Sequence, residues 1–202
     1  MLFEHEPTLM PFQDCPFNND HFVAKEFLKL KDEFKIDKIV ELGTCVGGST
    51  KWMAQNFLEV HTIEIQKPFQ DIAKLRCEGM AVNFHLGSTV DVLAGVLAQP
   101  GTGRVLCFID SHWGDHFPLF DELKIIKESG LKPVIVVHDC MVPDEPVMGY
   151  DSYKGVAISF ETMKPYIDDI YGEEGYSYHF NSDKASTEIK RGLIYIYPKT
   201  NA

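Results

Sequence analysis

Short apolar runs alternate with amphipathic stretches along most of this chain, and that alternation orders its elements before any single residue is considered. After a polar lead, "NNDHFVAKEFLKLKDEF" offers Asn and Asp as caps and sets Phe22, Val23, Phe27, Leu28 and Leu30 at helical spacing. A strand follows over Lys38 to Leu42, then a glycine turn and a helix through Lys51 and Met53. "VHTIEI", "VNFHLG", "RVLCFID" and "KPVIVVHD" read as further strands, with "KPFQDIAKLRCEG", "STVDVLAGVLAQ" and "HFPLFDELKIIKESG" as the helices between them. Pro68 falls in a first helical turn, where proline is tolerated, and Gly130 marks a stop. Continuous β-branched runs of this length suit parallel strands covered on both faces. Repeated strand–helix units therefore predict an α/β, Rossmann-like, doubly wound sheet in three layers.

From Cys140 the pattern changes. "MVPDEPVMGYDSYKG" predicts a loop long enough to carry function. "VAISFETMKPYIDDIYG" predicts a helix kinked or broken near Pro165. "YSYHF" and "GLIYIYP" alternate and predict an antiparallel hairpin closing a mostly parallel seven-stranded sheet. Residues 1–18 read as a tail or flap, and 19–202 as a single domain.

Composition narrows the partners. A chain of 202 residues with 45% hydrophobic and 24% charged positions fits one well-buried globular domain. Its formal net charge of -11 opposes long-range attachment to nucleic acid or to an anionic membrane, so a neutral or cationic small ligand is the expected partner. No apolar stretch is long enough for a membrane helix and the start lacks a secretory layout, which leads to the expectation of a cytoplasmic protein. Cys15, Cys45, Cys77, Cys107 and Cys140 are scattered without a C-x-x-C pair, which speaks against a disulfide framework or a structural zinc site.

Ligands of open parallel sheets sit beyond the carboxyl ends of the strands, where strand order reverses. That rule selects Glu41 to Ser49, Glu64, Gly87 and Ser88, Asp110 to His116, and His138 with Asp139. The first stretch, "VELGTCVGGST", is not a dinucleotide fingerprint: Cys45 stands where the second glycine belongs, and the acid Glu41 would repel a diphosphate. This disfavours an NAD-dependent oxidoreductase. Lys51 comes too late after the last glycine for a phosphate-binding P-loop. A nucleoside with a cationic end suits it better. Ser49 and Thr50 can meet a carboxylate at the helix N-terminus, Glu41 an ammonium or sulfonium, and Glu64 the ribose hydroxyls, a set of parts that S-adenosylmethionine possesses.

"VELGTCVGGST", "HTIEI", "HLGST", "FIDSHW" and "VVHD" resemble the successive motifs of class I S-adenosylmethionine-dependent methyltransferases, from about Lys38 to Pro198. Within that superfamily the chain is similar to small-molecule O-methyltransferases of the catechol and macrocin-type sugar kinds. The resemblance implies that Glu41, Gly43, Thr44, Gly47, Ser49 and Thr50 surround the methionine moiety, Glu64 and Ile65 the ribose, and Gly87, Ser88 and Asp110 the rest of the cofactor.

"DSHWGDH" and "HD" bear on the reaction. Methylating a neutral hydroxyl requires removing or polarising its proton, so His112 is the leading general base and His116 the second, with Asp110 and Asp139 in the catalytic set. Asp110, His138 and Asp139 are candidate ligands for Mg²⁺ or Mn²⁺. The alternative is metal-free chemistry, in which Asp110 is a cap and His138 a packed imidazole. Trp113, Tyr150 and Tyr153 can lay aromatic faces against an acceptor such as a sugar or glycan unit. A catechol-like acceptor, a non-catalytic cofactor-binding subunit, and a module of a larger glycan-building protein remain the other readings.

Overall fold

The computed structural model describes residues 15–99, 104–185 and 190–199. The first fourteen positions of the expected tail and part of "NSDKASTEIKRG" lie outside them. In chain order the elements are α1 (His21–Phe34), β1 (Ile36–Leu42), α2 (Gly48–Asn56), β2 (Glu59–Glu64), α3 (Lys67–Arg76), β3 (Val82–Leu86), α4 (Thr89–Leu97), β4 (Arg104–Ile109), α5 (Leu119–Glu128), β5 (Val134–His138), β6 (Ser152–Tyr153), β7 (Val156–Ala157), α6 (Phe160–Tyr171), β8 (Tyr176–Phe180) and β9 (Leu193–Pro198).

Seven strands form one sheet in the order β3-β2-β1-β4-β5-β9-β8. The five from β3 to β5 run parallel, and β9 pairs antiparallel with both β5 and β8. The expected three-layer Rossmann-like fold with a C-terminal hairpin is therefore present. Because β1 pairs with β2 on one side and β4 on the other, chain direction around the sheet reverses there, and a crevice opens beyond the tips of β1 and β4.

The strand period of two divides the core. Val40, Leu42, Cys107, Ile109, Ile135, Val137, Ile194 and Ile196 join residues of α4, α5 and α6 in one buried cluster. Ile39, Leu106, Phe108, Val134, Val136 and Tyr195 join α1 and α2 in the other. Helix α1 starts where Asp20 accepts the N–H groups of Phe22 and Val23, and ends at left-handed Lys35. It buries Val23, Phe27, Leu30 and Phe34, each contributing about 1.5–3 kcal/mol of transfer free energy.

Three local expectations change. β1 begins at Ile36 rather than Lys38. Val156 and Ala157 form a two-residue strand against Ser152 and Tyr153, and the helix starts only at Phe160, where Ser159 and Thr162 make a reciprocal capping box. Pro165 lies inside α6 without breaking it, on an exposed position where water can reach the carbonyl it leaves unpaired. At the N-terminus, Pro16–Asn19 form a short 3-10 helix. Phe17 in it is 3% exposed and packs its ring on Phe27 of α1, Trp52 of α2 and Phe108 of β4.

Candidate active site

The bend after β1 is built by hydrogen bonds to neighbouring strands. The N–H groups of Gly43 and Thr44 both donate to the Ile63 carbonyl, at 3.0 and 3.2 Å, and Asp110 N–H donates to Leu42 at 2.8 Å. Gly43 has φ of +96°, and a Cβ there would lie 2.2 Å from the Asp110 carbonyl oxygen. Its requirement comes from the tip of β4 pressing on the bend. Gly47 is likewise needed against Ala73 of α3.

The carboxylate of Glu64 organises the next turn, accepting Cys45 N–H on Oε2 and Gln66 N–H on Oε1, both at 2.8 Å. Burial pushes its carboxyl up, against the pull of those N–H groups. Both oxygens keep lone pairs for hydroxyl donors. Ile65, Leu86 and Val90 are exposed apolar side chains on or just beyond the tips of β2 and β3. Gly87 donates its N–H to the Glu64 carbonyl at 2.9 Å, and Ser88 caps α4 without using its hydroxyl as a cap.

Glu41 is 1% exposed. Its Oε2 accepts the hydroxyls of Thr50 at 2.5 Å and Thr62 at 2.6 Å, and Thr44 Oγ1 lies 2.5 Å from Thr62 Oγ1. Ser49 Oγ accepts Phe17 N–H at 2.9 Å. Thr50 thus donates its hydroxyl to the protein's own carboxyl, whereas Ser49 acts as an acceptor and keeps its O–H for a ligand. Desolvation pushes Glu41 up to about 8, with the two threonine hydroxyls opposing the shift.

Beyond β4 and β5 lies a second cluster. His112 Nε2 is 3.2 Å from Asp139 Oδ2 and 3.9 Å from Asp110 Oδ1. His138 Nδ1 is 3.0 Å from Asp139 Oδ1 and 3.5 Å from Asp110 Oδ1, without hydrogen-bond alignment to either. Burial pushes both imidazoles down, but the hydrogen bond from His112 to Asp139 and the charges of Asp110 and Asp139 outweigh it, holding both above their ordinary value. The Asp139 carboxyl is held far below the usual range, because burial is overcome by His138 and by the donors of His112 and Arg191. Nδ1 of His112 is buried with no partner among the described residues.

His116 stands apart from this cluster, bridging its backbone to Trp113, and burial lowers its pKa. Trp113 and Tyr150 are exposed. Tyr153 turns its ring toward His112, with centroids 5.7 Å apart, and stacks on Phe117 at 4.7 Å. Beside that stack is a cavity of about 260 Å³ lined by Gly114, Asp115, Phe117, Ser152, Tyr153 and Lys154.

Two participants carry no signal in the sequence. Arg191 donates from Nε to Asp139 and from Nη2 to Asp151. Glu122, fully buried on α5, accepts the hydroxyls of Thr89 and Ser111. Arg191 and Glu122 meet partners 11 to 52 positions away, and no local spacing signals that.

No family model and no curated protein sequence matches the chain. Among solved structures it is similar to the O-methyltransferase TomG from Streptomyces achromogenes, involved in tomaymycin synthesis and solved with SAM: TM-score 0.60, 21% identity, covering 88% of this chain and 80% of that one. It is similar to an O-methyltransferase from Bacillus cereus in complex with SAH, with TM-score 0.57 and 21% identity over 98% of this chain and 84% of that one. An rRNA methylase from Streptococcus thermophilus aligns at TM-score 0.59 and 13% identity, covering 90% and 98%. The chain has the class I S-adenosylmethionine-dependent methyltransferase fold. At these identities the likeness establishes that fold alone, and the acceptors of these methyltransferases differ among themselves.

The donor set beyond β4 and β5 fits a divalent ion. Asp110, His112 and Asp139 bring ligand atoms within 4.8 Å of one another, two carboxylates and an imidazole. This set shares Asp110 and Asp139 with the expected one and has His112 as its imidazole where His138 was expected. Arg191 donates to the other oxygen of Asp139. No helix among the described residues is long and apolar enough to cross a membrane.

Proposed function

We propose that the protein is an S-adenosylmethionine-dependent O-methyltransferase acting on a hydroxyl of a small acceptor, a sugar or glycan unit. One observation carries this reading. The backbone of Asp110 is fastened to the bend after β1 while its carboxylate lies 3.9 Å from His112, so cofactor turn and acid–histidine cluster meet at one residue.

Glu64 holds the ribose hydroxyls with its remaining lone pairs, and Glu41, bonded to Thr50 and Thr62, braces the bend under the methionine end. The cofactor supplies the electrophilic methyl. Asp139 orients His112 through Nε2, and the unpartnered Nδ1 takes the proton from the acceptor hydroxyl, a base-and-orienter pair worth on the order of 10²–10⁴-fold. A divalent ion, when bound, would be held by Asp110, His112 and Asp139 in place of that proton transfer to His112, and would itself polarise the acceptor hydroxyl. Tyr153, Phe117 and exposed Trp113 offer aromatic surfaces for an acceptor ring. Support for an acceptor of modest size comes from the cavity of about 260 Å³ beside them.

A second reading, metal-free transfer, is favoured by the salt bridge that already neutralises Asp139 with Arg191. Calorimetry with S-adenosylhomocysteine, then tritiated methyl transfer to a panel of sugars and catechol with and without EDTA, tests both. Absence of S-adenosylhomocysteine binding rejects the proposal. Activity that survives EDTA selects the metal-free form.

A further inference from the structure

Both ends of the long loop after β5 are fastened to three consecutive residues just ahead of β9, Lys190 to Gly192. Cys140 N–H donates to Gly192 at 2.9 Å, Gly192 N–H to Gly149 at 2.8 Å, and Gly149 N–H to Lys190 at 2.7 Å. Asp151 N–H closes the loop on itself through the Asp139 carbonyl at 3.0 Å. The packing at the seam is tight: a Cβ on Gly192 would lie 1.9 Å from the Cys140 oxygen. Arg191 sits in the middle of this seam, and one guanidinium serves two acids, Asp139 at the tip of β5 and Asp151 at the far end of the loop. Two residues on is Tyr153, the ring that faces His112 and forms the Phe117 stack.

We propose that Arg191 is a positioning residue whose fork fixes the acceptor loop and the Asp139 carboxylate in one geometry. Asp139 presents Oδ1 to Arg191 and Oδ2 to His112, so the guanidinium sets the rotation of the carboxylate and with it the tilt of the imidazole. Through Asp151 the same group sets where the Tyr153 wall stands relative to that imidazole. A planar fork is required for this, since an ammonium is a point charge that cannot hold both acids in one plane. The inference rests on the proposed function in calling the loop an acceptor loop.

The test uses full-length Arg191→Lys, Asp151→Asn and the double variant. Each is assayed by S-adenosylhomocysteine calorimetry, by amide hydrogen exchange over residues 140–153, and by tritiated methyl transfer to the sugar and catechol panel. Cofactor affinity should stay within about twofold, while kcat falls about 10- to 100-fold, the cost of an ångström-scale misplacement, with KM for the cofactor unchanged. Exchange of the Asp151 amide should accelerate in both single variants. The double variant should be no slower than Arg191→Lys alone, because the two residues act as one unit. Wild-type kcat and wild-type exchange in Arg191→Lys would overturn the proposal. If that variant does not fold, seen as lost cofactor binding, Asp151→Asn decides by the same two criteria. If the native protein binds S-adenosylhomocysteine yet methylates nothing in the panel, the assigned reaction is at fault. Exchange then decides the clamp, with unchanged Asp151 protection overturning it.

Discussion

Thr62 on β2 donates its hydroxyl to the buried Glu41 carboxylate directly across the strand pair, at 2.6 Å in a register that sets the two residues side by side. Burial is the larger influence, and it pushes Glu41 up to about 8 from 4.5. Over that interval the folded chain keeps a proton that the unfolded chain releases, so this residue makes stability fall as pH rises from about 4.5 to about 8. Glu41→Gln keeps the shape and removes the titration. On going from pH 5 to pH 8.5 without cofactor, the denaturant midpoint should fall less, or rise more, in the variant than in the native protein; identical shifts would contradict the assignment.

Gly43→Ala should be among the most damaging single-methyl changes in the protein. The new carbon would meet the Asp110 carbonyl at 2.2 Å on a backbone at φ +96°. A loss of about 3 kcal/mol is expected from strain and overpacking, with weakened S-adenosylhomocysteine binding because the bend must open. Gly95, exposed within α4 with open space where a Cβ would go, is the control. Gly95→Ala should gain about 0.5–1 kcal/mol of stability. Similar thermal melts for the two variants would refute the account of the bend.

Away from the site, His61 Nδ1 lies 3.0 Å from His85 Nε2, the rings stacked, while His61 Nε2 lies 2.7 Å from Glu59. Burial holds both imidazoles below their ordinary value. The unfolded chain therefore takes up protons below about pH 6.5 that the folded chain refuses, and stability falls as pH drops through that range. Glu59 is held low despite its burial, chiefly by its hydrogen bond with His61, and adds a further loss as pH falls below 4.5. His85→Gln should flatten the decline in melting temperature between pH 7 and pH 5. An unchanged slope would remove the pair from the explanation.

Phe17 tests whether the segment ahead of α1 belongs to the folded unit. It takes a left-handed conformation, unusual for a bulky residue, and its N–H bonds Ser49 at the start of α2. Phe17→Ala should cost about 3–5 kcal/mol, the range for emptying a buried aromatic site. Leu58→Ala, at a residue 79% exposed, should change stability by less than about 0.5 kcal/mol. Comparable effects would mean that the segment merely rests on the surface.

What could be read in advance follows the range of the interactions. Val134 to Val137 or Leu106 to Ile109 announce a covered parallel strand from four consecutive letters, because their environment is apolar on both faces. The positions of Glu64 at the tip of β2 and Asp110 just beyond β4 are legible because the apolar runs ahead of them end there. Val156 and Ala157 misled, since an apolar pair ahead of an amphipathic run looks helical until the Ser159 box sets the true start. Thr50 misled differently. A hydroxyl at a helix N-terminus suits an anion, but here Glu41, nine positions earlier, claims it. Arg191 was invisible because its meaning depends on acids 40 and 52 positions away that only the folded loop brings together.

The fastening of the loop at Cys140 and again at Gly149 to Asp151 leaves the stretch from Pro143 to Val147 between fixed posts. That stretch is largely exposed, and its hydrogen bonds are turns within the loop itself. Changes in its length and lettering should therefore leave the two aspartates beneath it in their bearings.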